Sequence, residues 1–331
     1  MSEPVRALRW TGSELEILDQ RRLPGREEWI HAKNAETVAR AIESLAVRGA
    51  PAIGVAAAYG VALAGMRGNA SPATVQKAIA RLAKTRPTGY NLFVALNEMA
   101  KASERGGADI ARRLVRKAVE IHRSDARACL AMAKHGLTVL DNDERVLTYC
   151  NTGALATGGI GTALGVITHG HRHGKVREVF ACETRPVGQG ARLTVWECSK
   201  ARVPVTLICD NMAAALMRSG RVTRVFVGAD RIARNGDTSN KVGTLMVAML
   251  AHAHRIPFHV VAPRTTFDLS LRSGKDMPIE ERNHGEILSA VSGLDRLPGV
   301  DVWNPAFDVT PITYITSFIS DAGVIRPPFE F

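Results

Sequence analysis

Hydrophobic residues recur every three or four positions through much of the first 140 residues, the spacing that places them on one face of a helix. This pattern predicts helices over Ala35 to Val47, Val75 to Ala83 and Leu92 to Ala102. Two short runs before them, Arg6 to Trp10 and Leu15 to Leu18, are predicted to pair as strands. The chain is therefore expected to open with a mostly helical region that carries a short β-sheet.

From residue 145 onward the pattern changes to short, β-branched apolar runs with helical segments between them. The predicted strands are Arg145 to Tyr149, Val176 to Ala181, Val205 to Ile208, Arg224 to Val227 and Phe258 to Val261. The predicted helices are Gly161 to Ile167, Ala191 to Ala201, Met212 to Arg218 and Val242 to His252. Strand alternating with helix is typical of a parallel sheet covered on both faces. We therefore predict an α/β protein with domains 1–140 and 141–331, divided at the turn-rich triplet Asp141-Asn142-Asp143.

Composition is that of a globular protein, since 46% of the 331 residues are hydrophobic and 23% are charged. The stretch Gly49 to Met66 carries no charge and approaches the length of a membrane span. It consists mostly of alanine and glycine, however, which suit close helix packing inside a protein. The first residues also lack the apolar segment of a secretory signal. We expect no membrane association.

Five cysteines are present, an odd number, and no two of them form C-x-x-C. Neither a disulfide framework nor a zinc ribbon is indicated, so a cytoplasmic protein is expected. The alternating histidines His169, His171 and His173 have spacing suited to a metal, but the glycines among them favour a flexible loop. No metal site is predicted there.

The net charge of +11 suits either a nucleic acid or a small anionic substrate. Many basic residues lie between Lys101 and Arg127, where they fit the solvated face of a helix. Aromatic residues make up only 5% of the chain, and no aromatic-rich RNA-binding signature is present. A small anionic molecule is therefore the expected partner, and a nucleic acid is not.

Reactive side chains follow two of the predicted strands, where ligands bind in open parallel sheets. Cys150 follows the first strand and precedes a glycine-rich turn, whose N–H groups can lower the pKa of a thiol. Asp230 follows the fourth strand, where burial can raise the pKa of a carboxyl group and make it a general acid. The adjacent Arg231 would oppose that shift. A packing cysteine and a structural aspartate remain the alternatives at this point.

Three segments have the character of anion-binding sites at the start of helices. Arg48-Gly49-Ala50 precedes Pro51, which suits the first turn of a helix, so an arginine and free N–H groups would come together. Arg86-Pro87-Thr88 repeats this arrangement before the next predicted helix. Asn240-Lys241 is predicted to start a helix, where a bound anion would offset the unfavourable position of the lysine. Simple helix caps and an exposed lysine are the alternatives.

Seven segments of the chain, in order, resemble the 5-methylthioribose-1-phosphate isomerase family. They include V-R-G-A-P-A-I-G, Y-C-N-T-G-A-L-A-T-G-G-I-G-T, E-T-R-P-V-G-Q-G-A-R-L-T-V-W-E and V-G-A-D-R-I-A-R-N-G-D-T-S-N-K-V-G-T. The resemblance extends from about Leu8 to Val324. The superfamily also includes the regulatory subunits of the translation-initiation exchange factor.

The resemblance implies a small N-terminal domain of helices with a short sheet, joined to a Rossmann-like domain, in a homodimer without cofactor or metal. It implies an aldose–ketose isomerase that converts 5-methylthioribose 1-phosphate into 5-methylthioribulose 1-phosphate in methionine salvage. The family's reactive cysteine falls on Cys150 and its proton-donor aspartate on Asp230. Its substrate-binding residues fall on Arg48, Gly49, Ala50, Arg86, Gln189, Asn240 and Lys241.

The chain departs from the usual family pattern beside these residues. Gly89-Tyr90 replaces alanine and valine, Val187-Gly188 replaces two leucines, and Thr152 and Gly158-Gly159-Ile160 replace alanines and an aromatic residue. Loss of leucine bulk could change which substituent is accepted at the far end of the sugar. The alternatives are therefore an isomerase of 5-deoxyribose 1-phosphate or ribose 1,5-bisphosphate, or a non-catalytic protein similar to the regulatory subunits.

Overall fold

A small antiparallel sheet followed by helices forms the first part of the chain, as predicted. The computed structural model describes residues 5–66, 71–105, 107–290, 292–294 and 297–329. The sheet has the order β1-β2-β3, with strands Leu8–Trp10, Leu15–Leu18 and Trp29–Ala32. Helices α1 to α5 follow at Ala35–Glu43, Ala50–Gly65, Pro72–Ala83, Tyr90–Ser103 and Ile110–Gly136.

Helix α2 contains the uncharged, alanine- and glycine-rich stretch and is buried on nearly every side. Its small residues let neighbouring helices approach closely. A methyl group added at Gly60 would lie 3.1 Å from Leu82 and 3.3 Å from Val38. The interpretation of this stretch as a tightly packed internal helix is therefore confirmed. In the described part of the chain, no helix combines the length and the apolar character needed to cross a membrane.

The second part of the chain alternates strands and helices. Strands β4 to β14 are Glu144–Thr148, Val176–Cys182, Val205–Ile208, Arg224–Val227, Arg231–Ala233, Thr238–Lys241, Phe258–Val261, Phe267–Asp268, Phe307–Thr310, Ser317–Ser320 and Gly323–Ile325. Helices α6 to α10 are Ala163–Arg172, Val195–Ala201, Ala213–Arg218, Thr244–Ala253 and Gly285–Leu288. All five strands predicted for this part of the chain are confirmed, whereas the division into two domains near Asp141 stays a prediction.

The large sheet has seven strands in the order β14-β13-β10-β7-β4-β5-β6, and only β14 runs antiparallel to its neighbour. Numbered along the chain, its six parallel strands have the order 3-2-1-4-5-6, which defines the doubly wound Rossmann arrangement. The order reverses between β4 and β7, where Thr148 pairs with Phe226. Ligands bind beside such a reversal, and Cys150 and Asp230 directly follow these two strands.

A second, four-stranded sheet in the order β11-β8-β9-β12 begins where β7 ends. The prediction that Asn240-Lys241 starts a helix was wrong, because both residues belong to β9 and α9 begins only at Thr244. Strand β9 pairs with β12, so that Lys241 lies opposite Phe307. A pairing between segments so distant in the chain leaves no local signal in the sequence.

The three alternating histidines do not form a loop, contrary to the prediction, but lie at the end of α6. His171 Nδ1 lies 2.8 Å from the carbonyl oxygen of Val176, and His173 Nδ1 lies 2.8 Å from that of His169. Within the described ranges, the one group of side chains close enough to share a metal ion is Glu14, Glu16 and His31. It lies on the small N-terminal sheet.

Candidate active site

The ends of β4 and β7 open onto a cavity of about 510 Å³ whose walls come from both parts of the chain. The start of α2 and the segment before α4 form one side. The ends of β4 and β9, the turn that follows β5 and the segment after β7 form the other. Eight of the nine residues predicted for the site line this cavity: Arg48, Gly49, Ala50, Arg86, Cys150, Gln189, Asp230 and Lys241.

The ninth predicted residue, Asn240, faces away from the cavity. Successive side chains of a strand point to opposite faces, so Lys241 and Ser239 line the cavity while Asn240 is buried behind them. The Nδ2 of Asn240 donates to Thr244 Oγ1 at 3.0 Å. It therefore stabilises the turn between β9 and α9, and its contact with substrate stays a prediction.

The backbone of Cys150 is held in the left-handed region, with φ at +64°. Two threonines fix it in this uncommon conformation. The Cys150 N–H donates to Thr184 Oγ1 at 2.8 Å, and Thr194 Oγ1 donates to the Cys150 carbonyl oxygen at 2.7 Å. Residues held in sparsely populated backbone regions cluster at functional sites, where the surrounding structure over-determines them. Cys150 thereby lines the cavity while it also packs against the core of the large sheet.

Burial raises the pKa of the Cys150 thiol, and this outweighs the opposite influence of Arg48, Lys241 and the Asn151 N–H. The sequence analysis expected a lowered pKa for this thiol, whereas burial in the structure raises it. The reason is that the thiol is only 7% exposed. Burial thus favours the neutral thiol over the thiolate.

Burial also raises the pKa of Asp230, against the nearby cations Lys241, Arg86 and Arg48. Its N–H donates to the carbonyl oxygen of Ser239 at 2.9 Å, but within the described chain its carboxyl oxygens have no hydrogen-bond partner. Arg231 also lines the cavity, and its Nη1 lies 3.8 Å from Asp268 Oδ2. The carboxyl group is thus placed to hold a proton beside the cavity.

Three cations of the cavity donate only to neutral groups. Arg48 binds the side chain and carbonyl of Asn151, and Lys241 Nζ donates to the carbonyl oxygen of Ala306 at 2.7 Å. Arg192, which the sequence analysis missed, donates to the carbonyls of residues 187, 20 and 23 at 3.1, 3.0 and 3.4 Å. No carboxylate in the described ranges lies within 4.0 Å of these three. Their charges are available to an anion in the cavity.

Arg86, in contrast, is already paired with a carboxylate. Its Nη2 and Nε donate to Glu280 Oε2 at 3.0 and 3.2 Å, and Arg282 binds the other oxygen of the same carboxylate at 2.9 Å. To bind an anion, Arg86 would therefore have to share its hydrogen bonds between that anion and Glu280, or release Glu280. The cradle formed by Arg48, Lys241 and the start of α2 has no such competitor.

Gln189 contributes an unused hydrogen-bond acceptor. It is 6% exposed and lines the cavity, and its Oε1 has no partner among the described residues. A buried acceptor without a partner costs free energy, which a sugar hydroxyl donating to it would recover. This position therefore suits recognition of the sugar.

Helix α2 begins against the turn that follows Cys150, and Gly49 makes this contact possible. Gly49 has φ at +95°, and a methyl group added to it would lie 2.6 Å from the Cα of Ala156. The close approach brings the helix N-terminus, with its unpaired N–H groups and partial positive charge, to the cavity.

Gly49→Ala is expected to lower the free energy of unfolding by about 2–6 kcal/mol, from backbone strain of about 1–3 and overpacking of about 1–3. Urea denaturation measures this. Gly12→Ala is the matched control, because Gly12 has φ at +101° but nothing within 4 Å of an added methyl group. It should show the strain alone, at about 1–3 kcal/mol. Equal losses in both variants would contradict a close contact at Gly49.

The sequence profile described as "Initiation factor 2 subunit family" matches residues 46–327. The chain belongs to this family. Among relatives, a methylthioribose-1-phosphate isomerase of Marinobacter nauticus is 50% identical over 97% of this chain and 93% of its own. A 5-deoxyribose 1-phosphate isomerase of Moorella thermoacetica is 47% identical over 100% and 97%. The family relationship expected from the seven segments is confirmed.

Two solved structures share the fold over nearly the whole of this chain. The 5-methylthioribose 1-phosphate isomerase of Pyrococcus horikoshii OT3 superposes with a TM-score of 0.91 at 43% identity, covering 99% of this chain and 94% of that one. A structure described as translation initiation factor eIF-2B, subunit delta, from A. fulgidus gives 0.85 at 42% identity, with 98% and 96% covered. The predicted Rossmann-like fold with its helical N-terminal part is confirmed.

Proposed function

We propose that this protein is an aldose–ketose isomerase that converts 5-methylthioribose 1-phosphate into 5-methylthioribulose 1-phosphate. The observation that carries the proposal is that Cys150 and Asp230 line one cavity with Arg48, Lys241 and Arg192, which have no carboxylate partner among the described residues. A raised pKa for Asp230 suits proton donation, and uncompensated cations suit a phosphate dianion. The names of the full-length relatives support the same reaction.

Ring opening is the first step, because phosphate on the anomeric oxygen prevents the ordinary opening to a free aldehyde. Protonated Asp230 donates its proton to the ring oxygen, and the bond between that oxygen and the first carbon breaks. The first carbon then carries a cationic, phosphorylated carbonyl. Arg48, Lys241 and the N-terminus of α2 hold the phosphate in place, which fixes the first two carbons near Cys150.

Two routes then lead to the ketose. In one, the Cys150 thiolate removes the proton from the second carbon, an enol forms, and the proton returns to the first carbon. In the other, hydride moves directly from the second carbon to the first. In both, the hydroxyl on the second carbon loses its proton as the ketone forms. The raised pKa of Cys150 opposes the thiolate that the first route requires.

A deuterium label on the second carbon distinguishes these routes. Hydride transfer predicts complete retention of deuterium at the first carbon of the product, measured by mass spectrometry after turnover in water. Wash-out of the label would establish proton removal.

The substituent at the far end of the sugar is the least constrained part of the substrate. Tyr90 and Val187, two departures from the family pattern, both line the cavity. The test is a panel of 5-methylthioribose, 5-deoxyribose and ribose 1-phosphates, with ribose 1,5-bisphosphate. We expect the highest kcat/KM for the methylthio sugar. Preference for the 5-deoxy sugar or the bisphosphate would assign the protein to that substrate instead.

A regulatory function is the second candidate, because the structure from A. fulgidus is described as an initiation-factor subunit. Conversion of at least one sugar phosphate of the panel, lost in variants of Cys150 and Asp230, would exclude a purely regulatory role. An inert wild-type protein would favour it. Cytoplasmic location, a homodimer, absence of a cofactor and a place in methionine salvage belong to the isomerase proposal.

A further inference from the structure

A carboxylate that the reaction does not use lies behind the cavity wall. Glu197 on α7 is only 6% exposed. Its Oε2 accepts the N–H of Ala154 at 2.7 Å, and its Oε1 accepts Asn151 Nδ2 at 2.8 Å and the N–H of Leu155 at 3.3 Å. Buried carboxylates are costly unless such donors surround them. All three donors belong to the turn that follows Cys150.

Asn151 connects this carboxylate to the cavity. Its Oδ1 accepts from Arg48 Nη1 at 2.5 Å, and its carbonyl oxygen accepts from Arg48 Nη2 at 2.7 Å. An amide side chain has one accepting and one donating end. Because Glu197 takes the donating end, the accepting end must face Arg48. The carboxylate thus determines how the guanidinium is held.

The same helical segment also fixes the reactive cysteine. Thr194, three residues before Glu197, donates to the Cys150 carbonyl oxygen at 2.7 Å. The turn packs directly on the carboxylate, since a methyl group added at Gly153 would overlap the oxygens of Glu197. Displacement of this carboxylate would therefore move both Asn151 and the backbone around Gly153 in the turn after Cys150.

We propose that Glu197 is a positioning residue that, through Asn151, orients Arg48 for the anionic group of the substrate. Its hydrogen bonds to the turn after Cys150 also keep the thiol at a fixed position relative to that anion. The inference deepens the proposed isomerase function and rests on it, but anion binding can be measured without turnover. In Glu197→Gln the shape is kept while one accepting oxygen is replaced by a donor. The turn that carries Asn151 then loses one acceptor, and the amide of Asn151 depends more on Thr194 Oγ1, which accepts from it at 3.3 Å.

The test measures the affinity of the purified protein for inorganic phosphate by calorimetry. Glu197→Gln is expected to weaken binding by about 10- to 100-fold, the typical worth of a hydrogen bond to a charged group. Asn151→Ala removes the amide that connects Glu197 to Arg48 and should weaken phosphate binding similarly. It replaces Glu197→Gln in the test if that variant does not fold. Because Glu197 acts through Arg48, the double variant Arg48→Met/Glu197→Gln should bind no more weakly than Arg48→Met alone.

Glu144→Gln is the matched control. Glu144 is 3% exposed and accepts from Arg224 Nε at 2.7 Å, but it lies at the opposite end of β4 from Cys150. It should lower the unfolding midpoint while phosphate affinity and the ratio of kcat to KM stay as in the wild type. A Glu197→Gln protein that behaves like this control would overturn the proposal. So would multiplicative losses in the double variant, or a wild type that does not bind phosphate.

A turnover assay distinguishes a failure of this inference from a failure of the proposed isomerase reaction. The positioning role of Glu197 is supported if the wild type binds phosphate, Glu197→Gln binds it more weakly, and the double variant binds it no more weakly than Arg48→Met alone. This holds even when no pentose 1-phosphate is converted. In that case only the isomerase reaction fails. With turnover present, Glu197→Gln should raise KM by about the factor by which it weakens phosphate binding, about 10- to 100-fold.

Discussion

Asp230→Asn is expected to lower kcat by about 10²- to 10⁴-fold, the usual contribution of a general acid. The amide keeps the size of the side chain but has no acidic proton to give to the ring oxygen. Binding should change little, because in the described structure the carboxyl group makes no hydrogen bond that positions a neighbour. Steady-state kinetics on 5-methylthioribose 1-phosphate measures both parameters.

Asp125→Asn is the control for this variant. Asp125 on α5 is another carboxyl group whose pKa burial raises, to about 6, but it lines a different cavity. Its carboxyl group accepts from the N–H of Gly158 at 2.6 Å, and neither residue lines the active-site cavity, so its replacement should leave kcat within about twofold. Similar losses in both variants would mean that removal of any buried carboxyl group impairs the enzyme, and Asp230 would lose its role as acid.

The pH dependence of kcat provides an independent check on Asp230. Burial raises its pKa above the ordinary aspartate value of 3.8, so the carboxyl group keeps its proton to higher pH than an exposed one. Activity that requires this proton is present below the raised pKa and falls as pH increases through it. Asp230→Asn should abolish this decline in its residual activity. An unchanged decline in the variant would assign it to another group.

Cys150→Ser is expected to lower kcat by about 10³-fold, within the range for a group that transfers a proton at the reacting carbon. A hydroxyl is far less acidic and smaller than a thiol, so it neither removes the proton nor fills the same space beside the first two carbons. The variant should still bind phosphate, because Arg48 and Lys241 are unchanged. Kinetics together with calorimetry separate these effects.

Cys209→Ser is the matched control, because Cys209 also follows a strand of the large sheet but is exposed. Its kinetics should equal those of the wild type. Activity of Cys150→Ser within about tenfold of the wild type would show that the thiol does not transfer a proton in the reaction, since loss of a catalytic proton-transfer group costs at least 10²-fold.

Local sequence was sufficient to select Cys150 and Asp230 as candidates, because each follows a run of apolar, β-branched residues that forms a central strand. It did not show that these strands are neighbours. Adjacency of β4 and β7 depends on the order of the whole sheet, in which β5 and β6 extend to one side and β10 and β13 to the other. Such long-range pairing is not encoded in any short segment.

Other features of the site were predicted incompletely for the same reason. Lys241 was assigned to a helix because its own partner in the sheet, Phe307 of β12, is distant in the chain. The partner of Arg86 is Glu280, 194 residues away, and nothing near Arg86 in the sequence indicates it. Arg192 lies within a segment of helical pattern, where an arginine normally faces solvent. Here the chain folds so that it faces the cavity.

The most direct test of the account is a crystal structure of the Cys150→Ser protein with 5-methylthioribose 1-phosphate bound. The account predicts that the ring oxygen lies about 2.6–3.2 Å from a carboxyl oxygen of Asp230, the reach of a general acid. The second carbon should lie against the side chain at position 150, and the phosphate should contact Arg48, Lys241 and the N–H groups at the start of α2. A sugar bound with Asp230 and position 150 on separate surfaces, or with its phosphate turned away from Arg48, would contradict it.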